Sequence, residues 1–281
     1  MTTKIIDGKK IAAQVREGLI GRVEALTKGG KTPGLAVVLV GEDPASQTYV
    51  RNKEKGCADV GIYSEVFRLP DSVEESELLA LIGRLNKDSK IHGILVQLPL
   101  PAHIDELSVL RAISPGKDVD GFHVQSAGAL MVGEKGFVAC TPKGIITLIK
   151  STGIDICGKH AVVVGRSNIV GKPVSLLLLR ENATVTVCHS RTEDLKRMTL
   201  DADILVCAIG KPEMIGGDMI KSGAVVVDVG TSRVDGKLKG DVKFDEAQGI
   251  ASFITPVPGG VGPMTIAMLL ENTVEACELY G

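Results

Sequence analysis

The sequence predicts an α/β protein with two α/β domains. Three observations support this fold class. Short β-branched apolar runs alternate with amphipathic segments of helix length, which is the sequence form of βαβ units and a parallel sheet. The alternation occurs twice, on the two sides of a Gly-, Ser-, Pro- and Asp-rich segment over residues 112–141. The length of 281 residues agrees with two domains, since a typical domain has roughly 150 residues.

The first half of the chain predicts three strands joined by helices. Asp43 is expected to cap a helix that begins with Pro44 and runs to about Gly61. Ser72 and Glu75 have the spacing of a capping box, and apolar residues then recur at helical spacing. The strands are predicted at GLAVVLV (34–40), IYSEVFRL (62–69) and IHGILVQL (91–98).

The second half predicts a Rossmann-like doubly wound parallel sheet. Thr141-Pro142 begins a new helix, and Pro263 begins a last one, over 263–279, that is expected to pack back on the first domain. We therefore expect a first domain of residues 1–120 with the C-terminal helix, and a second domain of residues 121–262. The predicted elements between the two prolines are strands at 160–165, 183–188, 203–209 and 224–230 and a helix over 171–182.

Composition excludes several classes of protein. The 32 Lys and Arg against 34 Asp and Glu give a formal charge of -2, which argues against a nucleic-acid partner. No apolar stretch approaches the roughly 20 residues that cross a bilayer, so no membrane partner is expected. Six cysteines without a C-x-x-C pair, and no signal-peptide pattern, predict free thiols in the cytoplasm. With no Trp and 3% aromatic residues, the core must be aliphatic.

A glycine-containing turn in the second half predicts a dinucleotide site. In AVVVGRSNIVGKPV a strand runs into Gly165, and Gly171 precedes the next helix, where a phosphate can meet a helix N-terminus. A tight βα turn also needs glycine for steric reasons alone. The following strand ends without the acidic residue of an NAD site, whereas Arg166, Ser190 and Arg191 suit a 2′-phosphate. NADP is therefore favoured, and the alternative is that both arginines are solvated loop residues.

The first half offers a set of polar residues suited to proton transfer. Tyr49 and Lys53 are four residues apart and share a helical face, and apolar surroundings would lower the pKa of Lys53. Its charged neighbours leave a surface lysine as the alternative. Gln97 ends an otherwise apolar strand, so its side chain is expected at the mouth of the sheet. Asp118 and Asp120 lie in a short loop, where a solvated Asx turn is the alternative to a functional role.

Three other enzyme classes fit poorly. A Tyr-x-x-x-Lys pair occurs in short-chain dehydrogenases, but there it follows the dinucleotide loop, and here it precedes that loop by over a hundred residues. The five histidines contain no i, i+4 pair and no H-E-x-x-H, so no metal site is expected. A serine nucleophile would need a G-x-S-x-G elbow, which the chain lacks.

Seven motifs together resemble the bifunctional methylenetetrahydrofolate dehydrogenase/methenyltetrahydrofolate cyclohydrolase family over essentially the whole chain. The most specific are the QLPLP strand end and PGGVGPMTI. The motifs are SQTYVRNKEK (46–55), GILVQLPLP (93–101), KDVDGFH (117–123), CTPKG (140–144), VVVGRSNIVGKP (162–173), CHSRT (188–192) and PGGVGPMTI (258–266).

The resemblance implies two α/β domains flanking a cleft, with a folate site and an NADP site. Lys53 would be the key group of the cyclohydrolase step, Gln97 would bond to it, Tyr49 would line the folate and Asp120 would hold the pterin. The implied folate contacts are Tyr49, Lys53, Gln97, Leu98, Asp120, Pro258, Gly259 and Gly260. The implied NADP contacts are Gly165, Arg166, Ser167, Ser190, Arg191 and Thr231.

The implied activity is NADP-dependent oxidation of 5,10-methylenetetrahydrofolate followed by hydrolysis to 10-formyltetrahydrofolate, in a homodimer. Hydride transfer mainly requires the two ligands to be held in near-attack geometry. Hydrolysis also requires a group that takes a proton from water, a role suited to Lys53. Two alternatives stay open, a monofunctional dehydrogenase with a disabled Lys53 site and a protein that binds NADP without turnover.

Overall fold

The computed structural model describes residues 2–281, which divide into two compact units. One unit contains the chain up to Ala12 together with Thr141–Thr265, and the other contains Ala13–Cys140 together with Ile266–Gly281. Each unit has its own parallel sheet. The predicted mixed α/β class is confirmed.

The elements have the following bounds. The strands are β1 Lys4–Ile5, β2 Gly34–Val40, β3 Tyr63–Leu69, β4 Gly93–Val96, β5 His160–Val164, β6 Thr184–Cys188, β7 Ile204–Cys207, β8 Val225–Asp228, β9 Ser232–Val234, β10 Lys237–Lys239 and β11 Phe253–Ile254. The helices are α1 Gly8–Lys28, α2 Pro44–Val60, α3 Glu75–Lys87, α4 Glu106–Ala112, α5 Val124–Val132, α6 Cys140–Ser151, α7 Gly171–Arg180, α8 Leu195–Leu200, α9 Phe244–Ala247 and α10 Val261–Tyr280.

The unit that contains Thr141–Thr265 is built on a six-stranded sheet in the order β1-β11-β8-β7-β5-β6. Every neighbouring pair in it is parallel. The chain leaves β5 for β6 on one side and then crosses to β7 on the other. This reversal is the switch point of a doubly wound sheet, where the carboxyl ends of β5 and β7 open a crevice for ligands.

The unit that contains Ala13–Cys140 is built on a three-stranded parallel sheet in the order β3-β2-β4. All seven residues of the central strand β2 are buried, which explains its unbroken apolar sequence. Aliphatic side chains of β2, β4, α3 and α4 form one core cluster. Within residues 2–281, Phe137 is the only aromatic residue among the buried hydrophobic ones, so the predicted aliphatic core is confirmed.

Two local predictions need correction. The last predicted strand of the first half, 91–98, is confined to β4, because the chain leaves the ladder after its pairing of Val38 with Val96. The predicted capping box does not form. Helix α3 begins at Glu75 without a side-chain cap, and the Glu75 carboxylate instead accepts a hydrogen bond from the Asp105 amide at 2.7 Å.

The division of the chain into domains at residue 120 stays a prediction, and the compact units follow different bounds. Strand β1 pairs with β11, which groups the N-terminal residues with the second half of the chain. Residues 121–140 group with the first half, where the Asn272 side chain bonds the Val138 carbonyl at 3.0 Å. The segment predicted to connect the domains also contains a helix, α5.

All six cysteines are free, as predicted, and Cys157 alone among them is exposed. Among residues 2–281, no helix combines the length and the hydropathy that a membrane-crossing helix needs.

Gly93 in β4 leaves room for the Val119 side chain. A Cβ at Gly93 would lie 2.7 Å from both Val119 methyl carbons. We expect Gly93→Ala to lower the free energy of unfolding by about 1–3 kcal/mol, the usual cost of overpacking a core. Urea unfolding measures this change.

Two further variants control this prediction. Gly83→Ala, in α3, adds a methyl group with no atom within 4 Å and should leave stability unchanged or raise it. The double variant with Val119→Ala should lose less stability than the sum of its two single changes. Full additivity would contradict the proposed clash.

Candidate active site

Lys53 lies in the middle of α2, the helix that the sequence predicts. Asp43 caps the helix by accepting a hydrogen bond from the Ser46 amide at 2.7 Å, and Gly61 ends it with φ 83°. Lys53 is only 7% exposed. It is therefore a buried lysine, and the alternative of a surface lysine is wrong.

The Lys53 ammonium is fixed by the side chain of Gln97. Gln97 follows β4 directly, and its Oε1 accepts a hydrogen bond from Lys53 Nζ at 2.8 Å. Its Nε2 donates to the Leu98 carbonyl at 2.7 Å. The second bond fixes the orientation of the amide, because it leaves the carbonyl oxygen as the atom that faces Lys53. Leu98 itself is half-buried.

Burial and charge shift the pKa values of Lys53 and Asp120 in ways that matter for proton transfer. Desolvation lowers the pKa of Lys53 below its usual value, and the negative charge of Asp120 opposes part of this shift. Desolvation raises the pKa of Asp120 to about 6, against the opposing effect of Lys53. Asp120 and Lys53 therefore interact through their charges, and Gln97 is hydrogen-bonded to the same lysine.

The loop that carries Asp120 is held by the neighbouring Asp118. The Asp118 carboxylate is 1% exposed and accepts from the Phe122 amide at 3.1 Å, the His123 amide at 2.9 Å and Ser126 Oγ at 2.7 Å. The alternative of a solvated Asx turn is therefore wrong for Asp118. Its role is to shape the turn that presents Asp120.

A second set of contacts fixes Val119, between these two acids. Asn272 Nδ2, on α10, donates to the Val119 carbonyl at 2.8 Å, and Cys140 Sγ donates to the same oxygen at 3.3 Å. Gly121 follows with φ 75°, and a Cβ there would overlap the Ala139 backbone. The Asp120 backbone is thus fixed on both sides.

The three tyrosines have different surroundings. Tyr49 is 43% exposed on α2, so its ring is available to a ligand. Tyr63 begins β3 and its hydroxyl donates to Glu65 at 3.1 Å. The Tyr280 ring meets Phe137 edge to face, with ring centroids 6.3 Å apart.

In the unit that contains Thr141–Thr265, the predicted dinucleotide turn is a tight cradle. Gly165 has φ 134°, and a Cβ there would overlap the Ala208 carbonyl. A Cβ at Gly171 would overlap the Gly165 carbonyl. Both glycines thus let backbones approach closely, and α7 begins at Gly171, so the N-terminus of the helix lies at the turn. Ser167 Oγ accepts from the Val170 amide at 3.1 Å, which closes the turn.

The polar residues predicted to bind the cofactor lie beside this cradle. Val164 pairs with Cys188 in the parallel β5–β6 ladder. Arg166 and Ser190 each lie two residues after this pair, so both are at the carboxyl ends of these strands. The side chains of Arg166, Ser167, Ser190 and Arg191 are exposed, as is Thr231 after β8. The arrangement offers two guanidinium groups and hydroxyls to an anion, while the alternative of solvated loop arginines stays open.

Known proteins are similar to this chain over almost its full length. Residues 6–120 match the family model "Tetrahydrofolate dehydrogenase/cyclohydrolase, catalytic domain", and residues 139–280 match the NAD(P)-binding domain model of the same family. The chain belongs to this dehydrogenase/cyclohydrolase family. The bifunctional protein FolD of Moorella thermoacetica is 63% identical over 277 residues, which cover 98% of this chain and 99% of the relative.

Solved structures of the family agree. The FolD crystal structure from Campylobacter jejuni has a TM-score of 0.96 at 50% identity, covering 98% of this chain and 99% of that one. FolD of Trypanosoma brucei, complexed with NADP cofactor and inhibitor, has a TM-score of 0.94 at 41% identity, covering 99% and 98%. The predicted resemblance to the dehydrogenase/cyclohydrolase family is therefore confirmed.

The glycine motif of the family, PGGVGPMTI, begins in the loop after β11 and continues into the first turns of α10. Pro258 is exposed, and Gly259 has φ 109°. The Gly259 carbonyl accepts from the Lys9 amide at 3.1 Å, and a Cβ at Gly8 would overlap the Gly260 carbonyl. The loop is thus tied to the first turn of α1.

Sequence reasoning missed three polar residues that shape these sites. Asn272 bonds the Val119 carbonyl from a distant helix, and Asp228 and Asp241 are buried acids beside the loops after β7 and β8. Asp228 stands in the otherwise apolar run AVVVDVG, and that pattern could have marked it. The other two give no local signal, because their partners are far away in sequence.

Proposed function

We propose that the protein oxidises 5,10-methylenetetrahydrofolate to 5,10-methenyltetrahydrofolate with NADP⁺ and hydrolyses the product to 10-formyltetrahydrofolate. The observation that carries this proposal is the buried Lys53, which is hydrogen-bonded to Gln97 and interacts with the charge of Asp120. It supports the cyclohydrolase half of the activity, and the glycine cradle of Gly165 and Gly171 supports the dehydrogenase half.

Lys53 assists the hydrolytic step by exchanging a proton with the attacking water. An unperturbed lysine, with a pKa near 10.4, would stay protonated at neutral pH. Burial lowers the pKa of Lys53 and makes its neutral amine accessible. Gln97 orients the amine with a neutral acceptor, which does not favour the charged form as strongly as a carboxylate would.

Asp120 holds the folate through the N–H donors of the pterin edge. A carboxylate can accept two adjacent donors at once. Its raised pKa, about 6, means that this contact strengthens as the pH rises through that value. The exposed ring of Tyr49 packs on the folate, and Leu98, Pro258, Gly259 and Gly260 supply further contacts.

The turn after β5 holds the cofactor. Gly165, Ser167 and Thr231 contact it, and Arg166, Ser190 and Arg191 bind the 2′-phosphate through charge-assisted and neutral hydrogen bonds. When bound, NADP⁺ accepts a hydride from the methylene carbon. The protein side chains contribute positioning to that step and no proton transfer.

The alternatives predict a different Lys53 site. A monofunctional dehydrogenase would have a disabled Lys53 or Gln97, yet the two are bonded at 2.8 Å. A protein that only binds NADP would not require a buried lysine such as Lys53 in the unit that contains Ala13–Cys140. We also propose that the chain forms a homodimer, as the family resemblance implies.

Lys53→Met should abolish hydrolysis and spare hydride transfer. We expect the cyclohydrolase kcat to fall by roughly 10²- to 10⁴-fold, the contribution of one general acid–base group. NADP⁺ reduction with methylenetetrahydrofolate should remain measurable by absorbance. Lys55→Met, an exposed lysine on the same helix, is the matched control. An equal loss of both activities, with folding and ligand affinity intact, would contradict the assigned role.

Asp120→Asn should change the pH dependence of hydrolysis. Asp120 raises the pKa of Lys53, so its neutralisation should lower that pKa further. The cyclohydrolase kcat rises with pH as Lys53 loses its proton, and this rise should therefore occur at lower pH in the variant. The measurement is kcat at saturating methenyltetrahydrofolate from pH 6 to 9. An unchanged or higher midpoint would refute the coupling.

Arg166→Ala and Arg191→Ala should each raise the KM for NADP⁺ by roughly 10-fold or more, the value of one charge-assisted hydrogen bond. The KM for NAD⁺, which lacks the 2′-phosphate, should change little. Arg180→Ala, at the far end of α7, serves as the control. Two results would exclude the assigned 2′-phosphate contacts. One is a wild-type protein with the same KM for NAD⁺ and NADP⁺, and the other is a variant whose KM rises equally for both cofactors.

A further inference from the structure

Two buried carboxylates lie beyond the carboxyl ends of β7 and β8, in the unit of the predicted cofactor turn. Asp228 is the last residue of β8 and is 4% exposed, and Asp241 follows the β9–β10 hairpin and is fully buried. Neither has a role in the mechanism above. Buried charges are retained in proteins only when they are well bonded, so their partners show what they do.

Asp241 binds three consecutive backbone amides of the loop after β7. Its Oδ2 accepts from the Ile209 amide at 2.6 Å and the Gly210 amide at 3.1 Å, and its Oδ1 accepts from the Lys211 amide at 2.9 Å. Three consecutive amides that converge on one anion resemble the backbone arrangement that binds phosphate in other loops. Here the protein supplies the anion itself.

Asp228 in turn holds Asp241. Its carboxylate accepts from the amides of Gly230 at 2.9 Å, Asp241 at 2.8 Å and Val242 at 2.9 Å. The Asp228 amide donates to Thr255 Oγ1 at 2.8 Å. The two acids thus connect three segments in one hydrogen-bond network. These segments are the loop after β7, the start of the segment after β8 and the end of the β9–β10 hairpin.

Glycines make space for both carboxylates. A Cβ at Gly240 would overlap the Asp228 carboxylate, and a Cβ at Gly230 would overlap that of Asp241. Six backbone N–H groups surround the pair in place of cationic side chains. The fit is close on every side, so the carboxylates determine where these loop backbones lie.

The segments held in this way border the predicted cofactor residues. Strands β7 and β5 are neighbours at the switch point, and a Cβ at Gly165 would overlap the Ala208 carbonyl, directly before Ile209. Thr231 follows Gly230 directly. A shift of either segment would therefore alter the cradle formed by Gly165 or the position of Thr231.

We propose that Asp241, supported by Asp228, is a positioning residue of the cofactor site, and that it reserves the amides of residues 209–211 so that the cofactor phosphates bind only at the turn of residues 165–171. Asp241 does not touch the cofactor. It fixes the backbone wall against which the Gly165 turn packs. This inference rests on the proposed use of NADP⁺.

The test is Asp241→Asn, which keeps the shape but places an NH₂ group against backbone N–H donors. We expect NADPH affinity, measured by the fluorescence of bound NADPH, to fall roughly 10-fold or more, the order expected for an unsatisfied buried donor. The KM for NADP⁺ should rise in parallel. The cyclohydrolase kcat, which depends on Lys53 in the other unit, should stay within about twofold, a result that general unfolding would not give.

Two further variants complete the design. Asp203→Asn is the matched control, because Asp203 lies just before β7, at the amino ends of the strands and away from the cofactor turn. Its carboxylate accepts from the His160 amide at 3.0 Å and from Lys221 Nζ at 2.7 Å. It should leave NADPH affinity unchanged. Thr255→Val, which removes only the Oγ1 contact with Asp228, should weaken affinity by a smaller factor and keeps the test valid if Asp241→Asn does not fold.

The outcomes separate this inference from the proposed function. Unchanged NADPH affinity in Asp241→Asn or Thr255→Val, or an equal loss in Asp203→Asn, overturns the positioning role. A parallel loss of cyclohydrolase activity also overturns it, because the effect would then be one of general stability. Failure of the unmodified protein to reduce NADP⁺ would instead refute the proposed function.

Discussion

The candidate active site depends on one interaction, the hydrogen bond from the buried Lys53 to Gln97. A buried ammonium is costly, and proteins usually compensate it with a directly bonded carboxylate, which restores a high pKa. Here the bonded partner is a neutral amide, and Asp120 acts only as a nearby opposing charge. The pKa of Lys53 is therefore lowered. The local fold follows from this requirement, since α2, the end of β4 and the Asp120 loop must meet around one nitrogen atom.

The loops at the strand ends of both units are shaped by the same physical device. Asp118 in one unit, and Asp228 and Asp241 in the other, are buried carboxylates that accept hydrogen bonds mainly from backbone N–H groups. Burial raises the pKa of each, and the amides oppose that shift by stabilising the charged form. An amide-bonded carboxylate fixes several backbone positions at once. In each parallel sheet the loops meet at the carboxyl ends of the strands, and these acids fix the conformation of the loops there.

The strand and helix pattern could be predicted from sequence because apolar runs and helix signals are local. The run over 34–40 coincides with β2, and Asp43-Pro44 marks the start of α2. The misses have long-range causes: Glu75 bonds the Asp105 amide instead of forming a capping box, and β4 ends where its ladder with β2 ends. The sequence leaves the burial of Lys53 undecided, because charged neighbours such as Arg51 and Lys55 are exposed while Lys53 itself is buried. Asn272, which acts on a loop about 150 residues earlier, could not be predicted from any local pattern.

The way in which each buried ionisable group is bonded also explains why proton transfer belongs to Lys53. The oxygens of Asp228 and Asp241 accept from backbone N–H groups, and a proton on either would displace a structural bond. Lys53 Nζ needs only one hydrogen atom for its bond to Gln97, and both the ammonium and the neutral amine can supply it. Lys53 can therefore gain or lose a proton while its position stays fixed. A group that changes charge without moving is what a repeated proton transfer requires, and the neutral acceptor Gln97 is the feature of the fold that permits it.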